Sequence, residues 1–153
     1  MWRALAPPSR FCALEDDLGI VVEAIEPGTA RSIWPQVVDM IDAGLSVCDE
    51  VMPEDIVERI SDGRMLLWAA IDDETGNIIA AMTTQLVKQR SGLVCWMCQC
   101  GGERMQDWSR FHVKIEEYAK AEGCGRVVLE GRRAWEKILD GYRTRSVRLE
   151  KVL

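Results

Sequence analysis

The sequence predicts a mixed α/β (α+β) fold, one central sheet with helices on both faces, in the order β-α-α-β-β-β-α-β-α-β. Three observations lead there. Residues 65–72 (MLLWAAID) and 93–100 (LVCWMCQC) are short, nearly continuous apolar runs flanked by turn residues, the pattern of buried strands. Residues 78–88 join the first run through a turn holding Gly76 and Asn77, and the second through Arg90-Ser91-Gly92, so the three strands form antiparallel hairpins. Residues 126–130 (RVVLE) come only after a helix-length crossover, which returns a strand parallel to 93–100.

The elements follow in order. Residues 1–18, with Pro7-Pro8 and the acidic cluster Glu15-Asp16-Asp17, read as an N-terminal arm, and residues 19–153 as the domain. GIVVEAIE (19–26) is β-rich and makes the first strand. Thr29 or Ser32 can cap a helix running through Ala43, because Ile33, Val37, Met40 and Ile41 fall at helical spacing. Pro35 is expected near its first turns, where a missing N–H costs least. A second helix at 53–62 opens on Pro53 with Glu54 and Asp55 in its first turn, and Gly63 stops it. A long helix at 105–122 carries Trp108, Phe111, Ile115, Tyr118 and Ala119 on one stripe and ends at Gly123. A short helix follows at 132–139, with Ala134, Trp135 and Ile138 as its apolar residues. Residues 146–153 alternate, with Val147, Leu149, Lys151 and Leu153 on one face, and read as a last strand.

Composition excludes several functions. A chain of 153 residues with 48% hydrophobic content can bury a core without staples. Its mean hydropathy of −0.08 is that of a soluble protein. The net charge of −6 argues against general binding to nucleic acid or to an anionic membrane, although Arg126, Arg132, Arg133, Arg143, Arg145, Arg148 and Lys151 crowd the last 30 residues. No apolar run reaches the ~18 residues of a membrane span, and the N-terminus lacks the apolar core of a signal peptide, so the expected location is the cytoplasm. Six cysteines are then reduced thiols. Strand alternation puts Cys95 with Met97 and Gln99 on one face and Cys98 with Cys100 on the other, which is not a zinc arrangement, so no metal site is expected. His112 stands without a partner motif, and no nucleophile elbow is present. Of the six tryptophans, Trp2 in the arm is the natural interface anchor.

The chemistry centres on residues 93–122, a buried strand, the pair Gly101-Gly102, and a helix opening where the strand ends. Unpaired amides and the positive macrodipole end make such a junction an anion site. The element order across 19–153 resembles the GNAT superfamily of acyl-coenzyme-A-dependent N-acetyltransferases, giving a GNAT-like mixed central sheet. The ending GRRAWEKILDGYRTRSVRLEKVL is similar to small GNAT-like proteins encoded by tailed bacteriophages. The resemblance implies a central strand and a parallel neighbour that splay to admit a pantetheine arm. It also implies a Q/R-x-x-G-x-G/A loop under the pyrophosphate. That loop maps onto Gln99, Gly102 and Arg104, with Gly101 beside them, and Arg104 stands where the family has glycine or alanine. The family's acid is a tyrosine in the last helix; Trp135 occupies that position here, and Tyr142 falls at a later aromatic position as the candidate acid. Asp72 or Glu130 would have to serve as base.

Two readings stay open. One is an N-acetyltransferase with acetyl-CoA as cofactor and an amine as substrate. The other is a catalytically inactive GNAT-fold bacteriophage protein acting through its arm and basic C-terminal face, in the host cytoplasm or in the virion, with other virion proteins as partners.

Overall fold

The structure is a computed structural model and describes residues 19–45, 51–104 and 111–153. The expected N-terminal arm with Trp2, and the first turns of the long helix with Trp108, lie outside the described residues.

Among the described residues nine elements follow one another: β1 (Ile20–Ile25), α1 (Pro27–Leu45), α2 (Pro53–Ser61), β2 (Leu66–Asp72), β3 (Ile78–Gln89), β4 (Gly92–Gly102), α3 (Phe111–Ala121), β5 (Arg126–Leu129) and α4 (Trp135–Ile138). The five strands lie side by side in chain order. The first four pair antiparallel, and β5 pairs parallel to β4, Val94 opposite Arg126 through Met97 opposite Leu129. The sequence expectation for these strands holds closely.

Both faces of the sheet are covered, which is why β2 reads as an unbroken apolar run. On one face Trp68, Ala70, Met82, Cys95 and Met97 pack under Phe111, Ile115, Tyr118 and Ala119 of α3 and Leu139. Trp68 lies edge-on to Tyr118 at 5.4 Å, and its indole N–H donates to Thr84 Oγ1 at 2.9 Å, which satisfies the one polar atom of a fully buried ring. On the other face Leu67 and Ala81 pack against Ala30, Val37 and Ile41 of α1 and Ile56 and Ile60 of α2.

Helix α1 starts earlier than its apolar stripe indicated. Pro27 opens it, and Pro35 falls inside it. The N–H that Pro35 lacks would have gone to the Arg31 carbonyl; Arg31 is exposed, so water can serve that carbonyl and the helix runs on to Leu45. Helix α2 begins on Pro53 as expected. The short last helix is a single turn, Trp135–Ile138.

The expected last strand is absent. Residues 143–153 form no regular structure, and Val147, Leu149, Val152 and Leu153 are 77%, 90%, 87% and 108% exposed. Alternation suits a strand, but a strand also needs a neighbouring edge, and the segment is not paired to its own β5.

Helix α1 meets the end of β4 backbone to backbone. A Cβ on Gly44 would stand 2.8 Å from the Cys100 amide nitrogen, and a Cβ on Gly101 would overlap the Met40 carbonyl oxygen. Gly102, at φ 147°, is pressed in the same way against the Ile79 carbonyl and Ala80 of β3. Gly101→Ala should therefore cost at least the ~1–3 kcal/mol of an overpacked core, read by urea unfolding. Gly28→Ala, in the first turn of α1 with open space around it, should be neutral or stabilise by up to ~1 kcal/mol.

Candidate functional site

Strand β4 is regular as far as Met97. There the register with β3 slips, Thr84 facing Met97 and Met82 facing Cys100, so that Thr83 alone opposes both Cys98 and Gln99. This β-bulge interrupts the ladder and turns the strand. It also corrects the expected distribution of side chains. Cys100 joins Cys95 and Met97 on the α3 face, whereas Cys98 packs on the α1 face. Burial pushes the Cys95 and Cys100 thiols up to about 12, so both stay protonated and unreactive at neutral pH. Among the described residues no group of three or more His, Cys, Asp or Glu could hold a metal ion.

Thr83 repairs the interrupted ladder. Its hydroxyl accepts the backbone N–H of Gln99 at 3.2 Å and donates to the Gln99 side-chain oxygen, and both residues are buried. Gln99, expected at the pyrophosphate, thus holds the bulge closed with its side chain.

Pairing between β4 and β5 ends where the bulge lies. β5 pairs with β4 only up to Met97, and β4 runs on to Gly102 with an edge that β5 does not cover. Beyond it the Glu103 amide donates to the Ile79 carbonyl at 2.8 Å. Arg104 then adopts φ 54°, the left-handed conformation that favours glycine, and its guanidinium pairs with Asp72 at 2.8 Å. The family's preference for a small residue at this position therefore matches the backbone here, although the side chain is arginine.

Asp72 is not placed as a base. Its carboxylate accepts the Thr75 and Glu74 amides of the β2–β3 turn as well as Arg104, and those bonds hold its pKa below the ordinary carboxylate range. Glu130, the other candidate base, is exposed and lies 4.0 Å from Arg148.

Tyr142 sits under α3. Its hydroxyl is buried and faces the Glu116 carboxylate; its ring meets His112 edge-on at 6.2 Å. Burial, with the Glu116 carboxylate next in importance, raises its pKa, so it keeps its proton. Trp135, at the family's tyrosine position, lays the edge of its indole against Gly131, just beyond β5; a Cβ on Gly131 would come within 3.1 Å of the ring. The structure thus gathers Gly101, Gly102 and Arg104 at the strand end, buries Gln99 beside them, and sets Tyr142 under α3. Sequence reasoning missed the pairing partners Thr83 and Asp72. Thr83 lies in a run of Ala, Met and Thr where a hydroxyl stands out only weakly.

No protein-family profile matches the sequence, and no curated protein is significantly similar to it. Solved structures are similar in fold. An aminoglycoside acetyltransferase, meta-AAC0020, from an uncultured soil metagenomic sample superposes with a TM-score of 0.67 at 10% identity, covering 90% of this chain and 98% of that one. Glucosamine-6-phosphate N-acetyltransferase from Arabidopsis thaliana gives 0.60 at 17% identity, covering 87% and 97%. A GNAT family acetyltransferase from Staphylococcus aureus gives 0.61 at 13%, covering 88% and 99%. The architecture is therefore that of the GNAT acetyltransferases. Likeness at such identities establishes the fold, a mixed sheet with helices on both faces, and leaves activity to the site.

Thr83→Val should lower stability by ~1–3 kcal/mol in denaturant titrations, because it strands a buried amide and the Gln99 carbonyl. The Asp72 pKa is lowered in the fold, so its contribution is present above the ordinary carboxylate range and is lost as pH falls through the lowered value. Asp72→Asn should accordingly weaken the protein at neutral pH and flatten its loss of stability on acidification, measured by melting temperature against pH.

Proposed function

We propose that this chain binds acetyl-CoA in the gap between β4 and β5 and transfers the acetyl group to an amine. The parting of the two strands after Met97, with the bulge at that point, is the observation that supports this reading. An uncovered strand edge offers amide and carbonyl groups in sheet geometry, which an extended arm carrying amides of its own can continue, much as a peptide adds a strand. The fit of the loop is partial. Gly102 lets backbone come close, whereas the Gln99 side chain is committed to Thr83 and the Arg104 side chain to Asp72. Released from Asp72, Arg104 would supply a cation to a diphosphate.

Acetyl-CoA, when bound, supplies a thioester carbonyl open to attack by an amine. The chain's own part is to hold and screen. The β4 edge orients the arm, and Trp135 packs against Gly131 just beyond β5. Asp72 and Glu130 stand in ion pairs, and Tyr142 faces α3, so the reading assigns the amine proton to solvent. The structural relatives bear the names of aminoglycoside and glucosamine-6-phosphate acetyltransferases, and an amino group is the feature their named substrates share.

A second reading draws on two observations, Trp135 in place of the acid and Tyr142 turned under α3. On it the chain is a GNAT fold without catalysis, a bacteriophage structural or virion interaction protein found in the host cytoplasm or in the particle.

Calorimetry separates the two. The enzyme reading expects micromolar acetyl-CoA binding that Gly102→Glu abolishes and that Arg104→Ala weakens about tenfold, the value of one charge-assisted contact. Millimolar or absent binding contradicts it and leaves the scaffold. Tyr142→Phe should change turnover by less than about threefold, since its hydroxyl faces α3; a hundredfold loss would return the acid role to it.

A further inference from the structure

The ion pair of Arg104 with Asp72 lies on the wrong side of β4 for a ligand held at its uncovered edge. β2 and β4 both run antiparallel to β3, and the register sets Ala70, Ala80 and Gly102 in one row across the three strands. Asp72 and Arg104 each stand a little further along in the same direction, so they meet across the start of β3. Neighbouring strands lie about 4.8 Å apart, so roughly 10 Å separates the two backbones, a span that an arginine covers only when stretched toward β2. The edge of β4 that β5 leaves uncovered faces the opposite way.

The two partners are not equally held. Asp72 Oδ1 accepts the Glu74 and Thr75 amides at 3.0 and 3.2 Å, which ties the carboxylate to the β2–β3 turn, while Oδ2 receives the Arg104 guanidinium at 2.8 Å. The Arg104 side chain is 41% exposed, against 18% for Asp72. The carboxylate is a fixed anion, and the guanidinium is the partner that can move. An ion pair open to water is worth little, so a ligand of higher negative charge can take the cation from it.

We propose that Asp72 holds Arg104 in reserve and competes for it with the coenzyme diphosphate, whose arrival draws the guanidinium from the β2 side of β4 to the uncovered edge. This inference rests on the acetyl-CoA reading above and adds a regulation to it: one carboxylate on the far side of β3 sets how much charge a ligand must carry. A diphosphate bears more negative charge than Asp72, and its oxygens accept both arms of the guanidinium fork. A thioester arm without phosphate has nothing to exchange for the carboxylate and leaves the pair closed.

Calorimetry on the full chain reads the competition as a double-mutant cycle. Asp72→Asn keeps an oxygen for the Glu74 and Thr75 amides and removes the charge that holds Arg104. It is expected to bind acetyl-CoA about fivefold more tightly than the wild type, the size of one partly exposed ion pair. In an Arg104→Ala background the same substitution should change affinity by less than about twofold. Acetyl-dephospho-CoA, which keeps the diphosphate and lacks the 3′-phosphate, should show the same gain as acetyl-CoA. On the wild-type chain the Arg104 Nε–H resonance should move on saturation with acetyl-CoA and stay in place with S-acetylpantetheine, a readout that needs no variant to fold. Equal affinity of wild type and Asp72→Asn would overturn the proposal and leave acetyl-CoA binding standing. A gain that persists without Arg104 would also overturn it, since Asp72 would then only repel phosphate. So would a gain confined to acetyl-CoA, which would assign Arg104 to the 3′-phosphate, and so would an Arg104 resonance that ignores bound acetyl-CoA. Absence of acetyl-CoA binding in both proteins would remove the proposal and the reading beneath it together.

Discussion

The fold depends on one close approach, the seating of helix α1 on the terminal turns of β4. Gly44 and Gly101 together remove the two Cβ atoms that would otherwise hold helix and strand apart. With backbone against backbone, α1 reaches deep enough to bury Val37 and Ile41 over β2 and β3, and it clamps β4 just past its bulge. Gly102 makes the equivalent approach to β3 from the next residue. A stretch that reads as a flexible phosphate loop is in this molecule a tightly packed one, and its glycines are needed for packing whether or not a ligand binds.

That constraint shapes the candidate site. A strand held at Gly101 and Gly102, and paired with β5 only to Met97, must leave β5 somewhere between. The extra residue at Cys98–Gln99 takes up the mismatch, and the Thr83 hydroxyl serves the amide that the bulge displaces. Gln99 is consumed in holding this geometry. The end of β4–β5 pairing and the buried Thr83–Gln99 pair both fall at the same register slip.

Much of this was legible in the sequence. Continuous apolar runs revealed strands covered on both faces, Pro53 and Gly63 bracketed α2, and the crossover before Arg126 implied the parallel pairing. Three things were not. The run WMCQC is almost continuously apolar, so nothing in it announces a bulge, and the face assignment of Cys100 went the other way. Residues 146–153 alternate as well as any strand, but local pattern does not say whether an edge of the same sheet is available, and here the segment stands exposed. The ion pair of Arg104 with Asp72 joins residues 32 apart, a distance over which charge patterning carries no information. Glycine spacing marked Gly101 and Gly102 as special, and only the three-dimensional neighbours, Met40, Ile79 and Ala80, tell why.

We propose that a coenzyme arm lies along the β4 edge from Cys98 to Gly102. Backbone amide chemical shifts recorded during a titration with acetyl-CoA test it most directly. Saturable shifts are expected to cluster at Cys98–Gly102 and at Glu130 and Gly131 just past β5, with β1 and α2 unmoved. A titration that leaves those amides in place, or moves a different face of the sheet, would contradict it.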